Sequence, residues 1–305
     1  MRHANALRRD IYESITSKIV SALEEGIAKQ SWERPWKRCP AMNGLPQSIE
    51  GRTYRGINVP VLMSTEHASN VWGTYKAWQK HGAQVRKGEK GELVVFWKRT
   101  TYKATDSEGQ EEERQGLFAK GYHVFAAEQV ESFDLAGHVA KAQSGLPRLA
   151  ERLEHVERVT KRYFQTEGLT LAHGGDRAFY APSRDHIQMP LMEAFTSTEG
   201  YYSTLLHEAG HSTGHDKRLN RQFGGRFGDD AYAFEELVAE LASAMLCGSL
   251  NITDEPRPDH AQYLANWLSV LKRDKRAIFT AASKAQAAAD HVLQYAIDHA
   301  MPAAA

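Results

Sequence analysis

The sequence predicts an α+β chain of two domains: an N-terminal mixed α+β domain and a mainly helical domain with a short sheet. Three observations lead there. The 305 residues suit two domains of ordinary size. The charge is divided: residues 1–105 carry 18 Lys and Arg against 9 Asp and Glu, a net of +9, and residues 106–305 carry the remaining 20 against 29, a net of −9. The overall balance of zero therefore conceals two halves suited to different partners. Short strand-like apolar runs lie in the first half, and long helical runs dominate the second. The expected division is residues 1–140, a linker at 141–149 containing Gln143-Ser144-Gly145, and residues 150–305.

In the first half, Ile11, Ile15, Ile19 and Leu23 recur at helical spacing, and Gly26 ends the run. The segment Trp32-Glu33-Arg34-Pro35-Trp36 is too rich in proline and aromatic residues for a helix interior. Gly51 to Asn58 reads as a turn followed by a loop or helix start, and Val71 to Lys80 as a helix. Val85 to Gly91 is a basic turn leading into a strand, Leu93-Val94-Val95-Phe96-Trp97. Tyr122-His123-Val124-Phe125 is its partner, and polar Thr105 to Gln115 forms the hairpin tip.

The second half opens with a helix over Leu149 to Tyr163. Two short extended runs follow, 178–182 and 185–190; the second is either a sheet-edge strand that receives a substrate backbone or an ordinary hairpin strand. A helix capped by Ser197 or Thr198 then carries His207-Glu208-Ala209-Gly210-His211, with Gly214 as its stop. Residues i and i+4 of a helix lie about 40° apart around its axis, so both imidazoles can face one ion. Glu208 can reach a water at that ion, and this is the pattern of a zincin-type metal-dependent hydrolase. A divalent metal lowers the pKa of such a water to about 7, and Glu208 is the base that takes its proton.

Catalytic zinc usually takes three protein ligands. A third histidine at the metzincin spacing would fall at position 217, which is Lys217; His215 comes two residues early and reads as a neighbour or a surface residue. The helical run Ala233 to Leu246 offers a glutamate instead. Glu236 is the expected ligand, with Glu235 the alternative. Glu240, one turn on, is suited to accept from the far N–H of a ligating histidine. Histidine and carboxylate suit Zn2+, with manganese, nickel or iron as other candidates.

Five of the six tryptophans fall in the first 97 residues, interleaved with Arg and Lys. That mixture suits single-stranded nucleic acid, whose bases stack on aromatic faces while basic groups follow the phosphates. Arg52, Arg55, Arg86, Lys87 and Lys90 are the expected phosphate contacts, and Tyr54 and Trp72 the expected stacking residues. The bland alternative for each tryptophan is a place in the core. Cys39 and Cys247, one per half, form no disulfide framework and suit a reducing compartment. No run of 18 apolar residues offers a membrane span, and the charged N-terminus is unlike a signal peptide, so a cytoplasmic protein is expected.

These motifs together resemble the ArdC-type antirestriction proteins of conjugative plasmids, whose N-terminal domain is similar to that of TraC-type primases. The resemblance rests on Trp32 with Pro35-Trp36, on Tyr54-Arg55-Gly56-Ile57-Asn58, and on Val85 to Gly91 running into Val94-Val95-Phe96-Trp97. In the second half it rests on Tyr201 to His211, Gly214-His215, Arg218-Leu219-Asn220-Arg221 and Phe234 to Glu240. It implies a single-stranded-DNA-binding domain joined to a zincin-like metallopeptidase domain, and a role in shielding incoming plasmid DNA from host restriction. It carries over His207 and His211 as ligands with a helix glutamate as third, and Glu208 as general base; the protein or peptide substrate stays unidentified. Three rival readings stand beside it: a DNA-binding protein with a structural or vestigial metal site, a plasmid primase, and a metallopeptidase whose basic half binds an acidic protein. No acidic cluster suited to nucleotide polymerisation supports the primase.

Overall fold

The computed structural model describes residues 2–28, 44–105, 111–221, 230–253 and 260–296. Trp32, Pro35, Trp36 and Cys39 lie outside the described residues. Helix α1 (Arg2–Ala28) runs on past the expected stop at Gly26, and its four-residue repeat of Ile11, Ile15, Ile19 and Leu23 is buried. Strand β1 (Gln47–Ser48) and helix α2 (Asn58–Met63) follow.

Residues 71–80 divide where a single helix was expected: Val71–Thr74 form strand β2 and Tyr75–Lys80 form helix α3. Val71 and Trp72 suit a pleated surface, and the Thr74 side chain caps the helix by accepting from the Ala77 N–H at 3.2 Å. Gly73 is required between them, because a Cβ there would lie 2.8 Å from the Trp78 ring nitrogen.

Short β3 (Gln84–Val85) precedes the hairpin of β4 (Glu92–Thr105) and β5 (Glu111–Ala126), whose ladder continues from Glu92↔Val124 to Thr105↔Glu111. The strands thus extend well into the segment expected to be the tip. Strand β6 (Val130–Glu131) pairs with β3, and helix α4 (Leu135–Ser144) follows. The expected linker is therefore helical as far as Ser144. The main sheet has the order β1-β2-β5-β4.

The second half opens with helix α5 (Leu149–Glu167), closed by left-handed Gly168 at φ 70°. Strands β7 (Thr170–His173), β8 (Phe179–Ala181) and β9 (His186–Met189) form a second sheet in the order β7-β9-β8. Of the two expectations for 185–190, the hairpin strand holds: β9 pairs antiparallel with β8, the strand over the first run, and it is the central strand of the sheet. Its backbone is already paired on both sides, in parallel with β7 and antiparallel with β8, so it has no edge to offer a substrate. Helices α6 (Thr198–Ser212), α7 (Asp230–Ser249), α8 (His260–Arg273) and α9 (Ala277–Leu293) complete the fold.

One connected apolar core takes side chains from α1, α2 and Val95 of β4 together with α5, α6, α7, α8 and α9. Helix α1 packs on α8, and the contact is trimmed by the ion pairs Glu13–Lys275 and Glu24–Lys272 and by Thr16, whose hydroxyl donates to the Lys275 carbonyl at 2.7 Å. Helix α9 lies on α7 through Ala281, Ala282, Ala285, Ala288 and Ala289, all buried. Small side chains let the two helices approach closely.

Candidate metal centre and an aromatic, basic groove

Helix α6 starts where Ser197 accepts from the Gly200 N–H at 2.8 Å, and it is buried from Gly200 to Ser212. It packs on α7 at Gly210, where even a Cβ would touch the Ala242 Cβ at 3.4 Å. The close crossing brings the glutamates of α7 to the histidines of α6. His207 Nε2 lies 3.0 Å from His211 Nε2. The Glu236 carboxylate reaches both rings, with Oε2 3.5 Å from His207 Nε2 and Oε1 3.4 Å from His211 Nε2. The far nitrogens have carboxylates of their own: His207 Nδ1 lies 3.2 Å from Glu240 Oε1, and His211 Nδ1 lies 3.4 Å from Glu235 Oε1.

This donor set fits a divalent cation. With a proton on each Nδ1, where a carboxylate faces it, the two Nε2 lone pairs and a Glu236 oxygen converge on one space, within 4.8 Å of one another. Converging lone pairs repel unless a cation or a proton sits between them. Buried Glu208, Glu235, Glu236 and Glu240 surround that space with negative charge, and Arg221 offsets that of Glu235. Burial opposes a charge on His211, yet Glu236 and Glu235 beside it outweigh burial and raise its pKa to about 10. Burial likewise opposes the charge on Glu236, and His211 and His207 overcome it, holding its carboxyl well below the usual range. Glu208 is 2% exposed and near enough to His211 for its charge to favour protonation there.

The chain after α6 locks this end of the helix. The Arg221 guanidinium holds Glu235 at 2.7 Å and donates to the Gly210 carbonyl at 2.8 Å and the Thr213 hydroxyl at 2.7 Å. Arg218 donates to the Ser212 carbonyl at 2.7 Å and pairs with Asp185, which also accepts from Tyr180 at 2.8 Å. Two cations thus meet the carbonyl end of α6, where the helix dipole favours them. The intervening turn needs Asn220 at φ 46°, a conformation Asn tolerates better than most residues. His215 turns to Asp216 at 2.8 Å and is not among the converging ligands. Sequence reasoning assigned Arg218 and Arg221 no role; their spacing of three residues behind a helix stop was the available signal.

A second feature lies between the halves. A groove of about 1060 Å³ is lined by Arg52, Tyr54, Arg55, Lys76 and Lys80, by Phe96 and Trp97 of β4, and by one face of α9. Phe96 is 49% exposed and Trp97 42% exposed, large values for aromatic side chains. Asn58 fixes the groove floor: its side chain accepts from the Val95 N–H at 2.7 Å and donates to the Val95 carbonyl at 2.8 Å.

The residues expected to touch nucleic acid divide. Arg52 and Arg55 line the groove and are exposed, with Arg55 paired to Asp290. Tyr54 lines it but is only 7% exposed, and burial pushes its hydroxyl up to about 12. Trp72 corrects the expectation: it is 1% exposed beneath the sheet, inside a cluster with Val94 and Val124, and no base can stack on it. Arg86, Lys87 and Lys90 are exposed on the β3–β4 turn and do not line the groove. Arg86 is tied down by Glu89 at 2.9 Å and by the Glu128 and Val130 carbonyls. Lys76 and Lys80 were not singled out from the sequence, and Phe96 and Trp97 were read as strand and motif residues, not as nucleic-acid contacts.

The same architecture recurs in a solved protein. The crystal structure of the antirestriction ArdC protein from the R388 plasmid, metal-free, matches with a TM-score of 0.71 and 37% sequence identity, covering 94% of this chain and 98% of that one. The chain belongs to the ArdC antirestriction family. The model of the N-terminal domain of anti-restriction factor ArdC matches residues 9–125, and that of a zincin-like metallopeptidase matches residues 157–284. The R388 ArdC protein is also solved with Mn(II) bound, at a TM-score of 0.68 and 35% identity over 94% of this chain and 98% of that one. Uncharacterized protein y4eC of Sinorhizobium fredii (strain NBRC 101917 / NGR234) is 45% identical over 290 residues, 92% of this chain and 91% of that protein. DNA primase TraC of Escherichia coli is 37% identical over 308 residues, but this chain, 95% of it aligned, spans only 27% of the primase. The ArdC unit is thus also similar to part of a much larger protein. No helix among the described residues is long and apolar enough to cross a membrane.

Proposed function

We propose that this ArdC-family chain binds single-stranded DNA in its groove, protects incoming plasmid DNA from host restriction during conjugation, and carries a metal-dependent peptidase centre. The observation that carries the reading is the pairing of two sites. One is a groove with exposed Phe96 and Trp97 beside Arg52, Arg55, Lys76 and Lys80; the other is the convergence of His207, His211 and Glu236 next to Glu208. Aromatic faces stack bases of any sequence, and basic groups follow the backbone, which suits a protector of DNA of arbitrary sequence.

At the second site His207, His211 and Glu236 would hold Zn2+, or Mn2+ as in the R388 relative, and the bound ion supplies Lewis acidity to a peptide carbonyl. The other roles belong to the chain. Glu240 and Glu235 hold the two imidazoles in the ligating tautomer. Glu208 takes a proton from the attacking water and returns it to the leaving amine. Strand β8, an edge of the small sheet packed near α6, is where an extended peptide adds antiparallel to the sheet. The protein operates in the cytoplasm, where incoming plasmid meets restriction enzymes.

The test is conjugative transfer into restricting and non-restricting recipients, with and without this protein. Protection specific to the restricting recipient supports the reading, and equal transfer in its absence sinks it. A Glu208→Gln variant that still protects fully would confine the role to DNA binding.

A further inference from the structure

Helix α9 belongs to the half of the chain that matches a zincin-like metallopeptidase, yet it has two working faces. Its alanine face lies on α7, which carries Glu235, Glu236 and Glu240. Its other face presents Phe279, Ser283, Gln286, Ala287 and Asp290 to the groove. These positions follow one another at intervals of four, three, one and three residues, a single stripe of a helix. Ser283, Ala287 and Asp290 are exposed. Contacts hold the stripe in place: Gln286 accepts from the Gly56 N–H of the opposite wall at 2.9 Å, and the Phe279 ring lies 4.5 Å from that of Tyr12 on α1. Asp290 forms an ion pair with Arg55 across the groove.

We infer that α9 is the second wall of the nucleic-acid site, and that Asp290 occupies the position on Arg55 that a phosphate takes when a strand enters. This rests on the proposal that the groove binds single-stranded DNA. Both partners of the pair are about half exposed, 61% for Arg55 and 47% for Asp290, so the pair is weak in water and readily exchanged. A backbone phosphodiester offers the guanidinium two oxygens in the same bidentate geometry as a carboxylate and the same single charge, and successive phosphates of one strand can engage Arg52, Lys76 and Lys80 as well. Displacement leaves Asp290 facing the incoming backbone, where its charge opposes binding. Ser283 supplies a hydroxyl of the kind that bonds to base edges, and the Gln286 amide, which donates to Asp290 at 3.1 Å, steadies that carboxylate. The site is therefore incomplete in residues 1–140 and needs the peptidase half.

The test uses the full-length protein and a fluorescent single-stranded oligonucleotide, read by anisotropy across salt concentrations. Asp290→Asn is expected to tighten binding at least threefold, because Arg55 becomes available and a repelling charge is gone. Ser283→Trp, which fills the groove from the α9 side, is expected to weaken binding at least tenfold. Both positions face away from α7, so divalent-metal binding by each variant should match the parent; that readout separates a blocked groove from a damaged fold. If the parent binds the oligonucleotide and both variants bind it within twofold, α9 is not a wall of the site and the inference fails. If the parent does not bind at all, the underlying DNA-binding proposal falls first and takes this inference with it.

Discussion

Arg221 and Glu235 form a buried ion pair, Nη2 to Oε1 at 2.7 Å, with side chains only 4% and 6% exposed. Glu235 also faces His211 Nδ1, so Arg221 acts on the metal centre through one intermediary. Removing one partner of a buried pair typically costs about 3–5 kcal/mol, because the other charge stays behind. Arg221→Met should therefore lower the melting temperature of the metal-free protein sharply. A bound cation offsets the stranded carboxylate, so the rise in Tm on adding Zn2+ or Mn2+ should be larger in the variant than in the parent. Differential scanning fluorimetry measures both; equal metal-induced rises would show that Arg221 only holds the helix end.

Glu236 and Glu235 are neighbours with different partners, and metal titration should separate them. Glu236→Ala removes a converging oxygen and should abolish divalent-metal binding in the micromolar range. Glu235→Gln removes no converging oxygen; it loosens the orientation of His211 and strands the Arg221 charge, and should weaken binding by about 10–100-fold. The reverse order would make Glu235 the ligand.

The proton on His211 should be visible in metal binding. Its pKa is raised from 6.5 to about 10, so its contribution to the stability of the metal-free fold is complete below about 6.5 and is lost as pH rises through about 10. A cation takes the nitrogen that the proton occupies, so binding between these limits expels that proton. Isothermal titration calorimetry at pH 7.5, in two buffers of different ionisation enthalpy, should report the release of about one proton. An enthalpy independent of buffer would contradict this.

Trp72 and Trp97 should separate stability from binding. Trp72→Ala removes a fully buried ring and should cost about 3–5 kcal/mol of folding stability. Trp97→Ala should move the Tm little and weaken single-stranded oligonucleotide binding by about 1–3 kcal/mol, the worth of one stacked base. Loss of binding on Trp97→Ala together with an equally large loss of stability would make Trp97 a core residue.

Local signals survived from sequence to structure. The cap at Ser197, the i, i+4 histidines of α6, the glutamates of α7 and the pairing of Leu93 with His123 were all readable, because each depends on residues near one another in the chain or on a simple period. The failures involve distant neighbours. Trp72 sits in a strand because β5 pairs beside it; Tyr75 to Lys80 read as helix, and without that partner nothing marked where the helix began. The hairpin of β8 with the strand over 186–189 was one of two readings the sequence allowed; the parallel pairing with β7 that makes this strand central was not legible, because a parallel partner leaves no turn signal. Arg221 finds Glu235, and α9 comes to line one groove with β4, only after the chain has closed on itself, so their pattern was visible and their destination was not.

Helix α1 is completed by an element that lies far downstream of it in the chain. Ile11, Ile15, Ile19 and Leu23 of α1 are buried largely against α8, which begins at His260. A ribosome adding about 5–20 residues per second needs on the order of 10–50 s to synthesise the intervening chain. Throughout that interval the apolar stripe of α1 has no α8 to cover it. A message truncated before α8 is therefore expected to yield a chain with an exposed apolar stripe, prone to aggregate rather than to act as half of a working molecule.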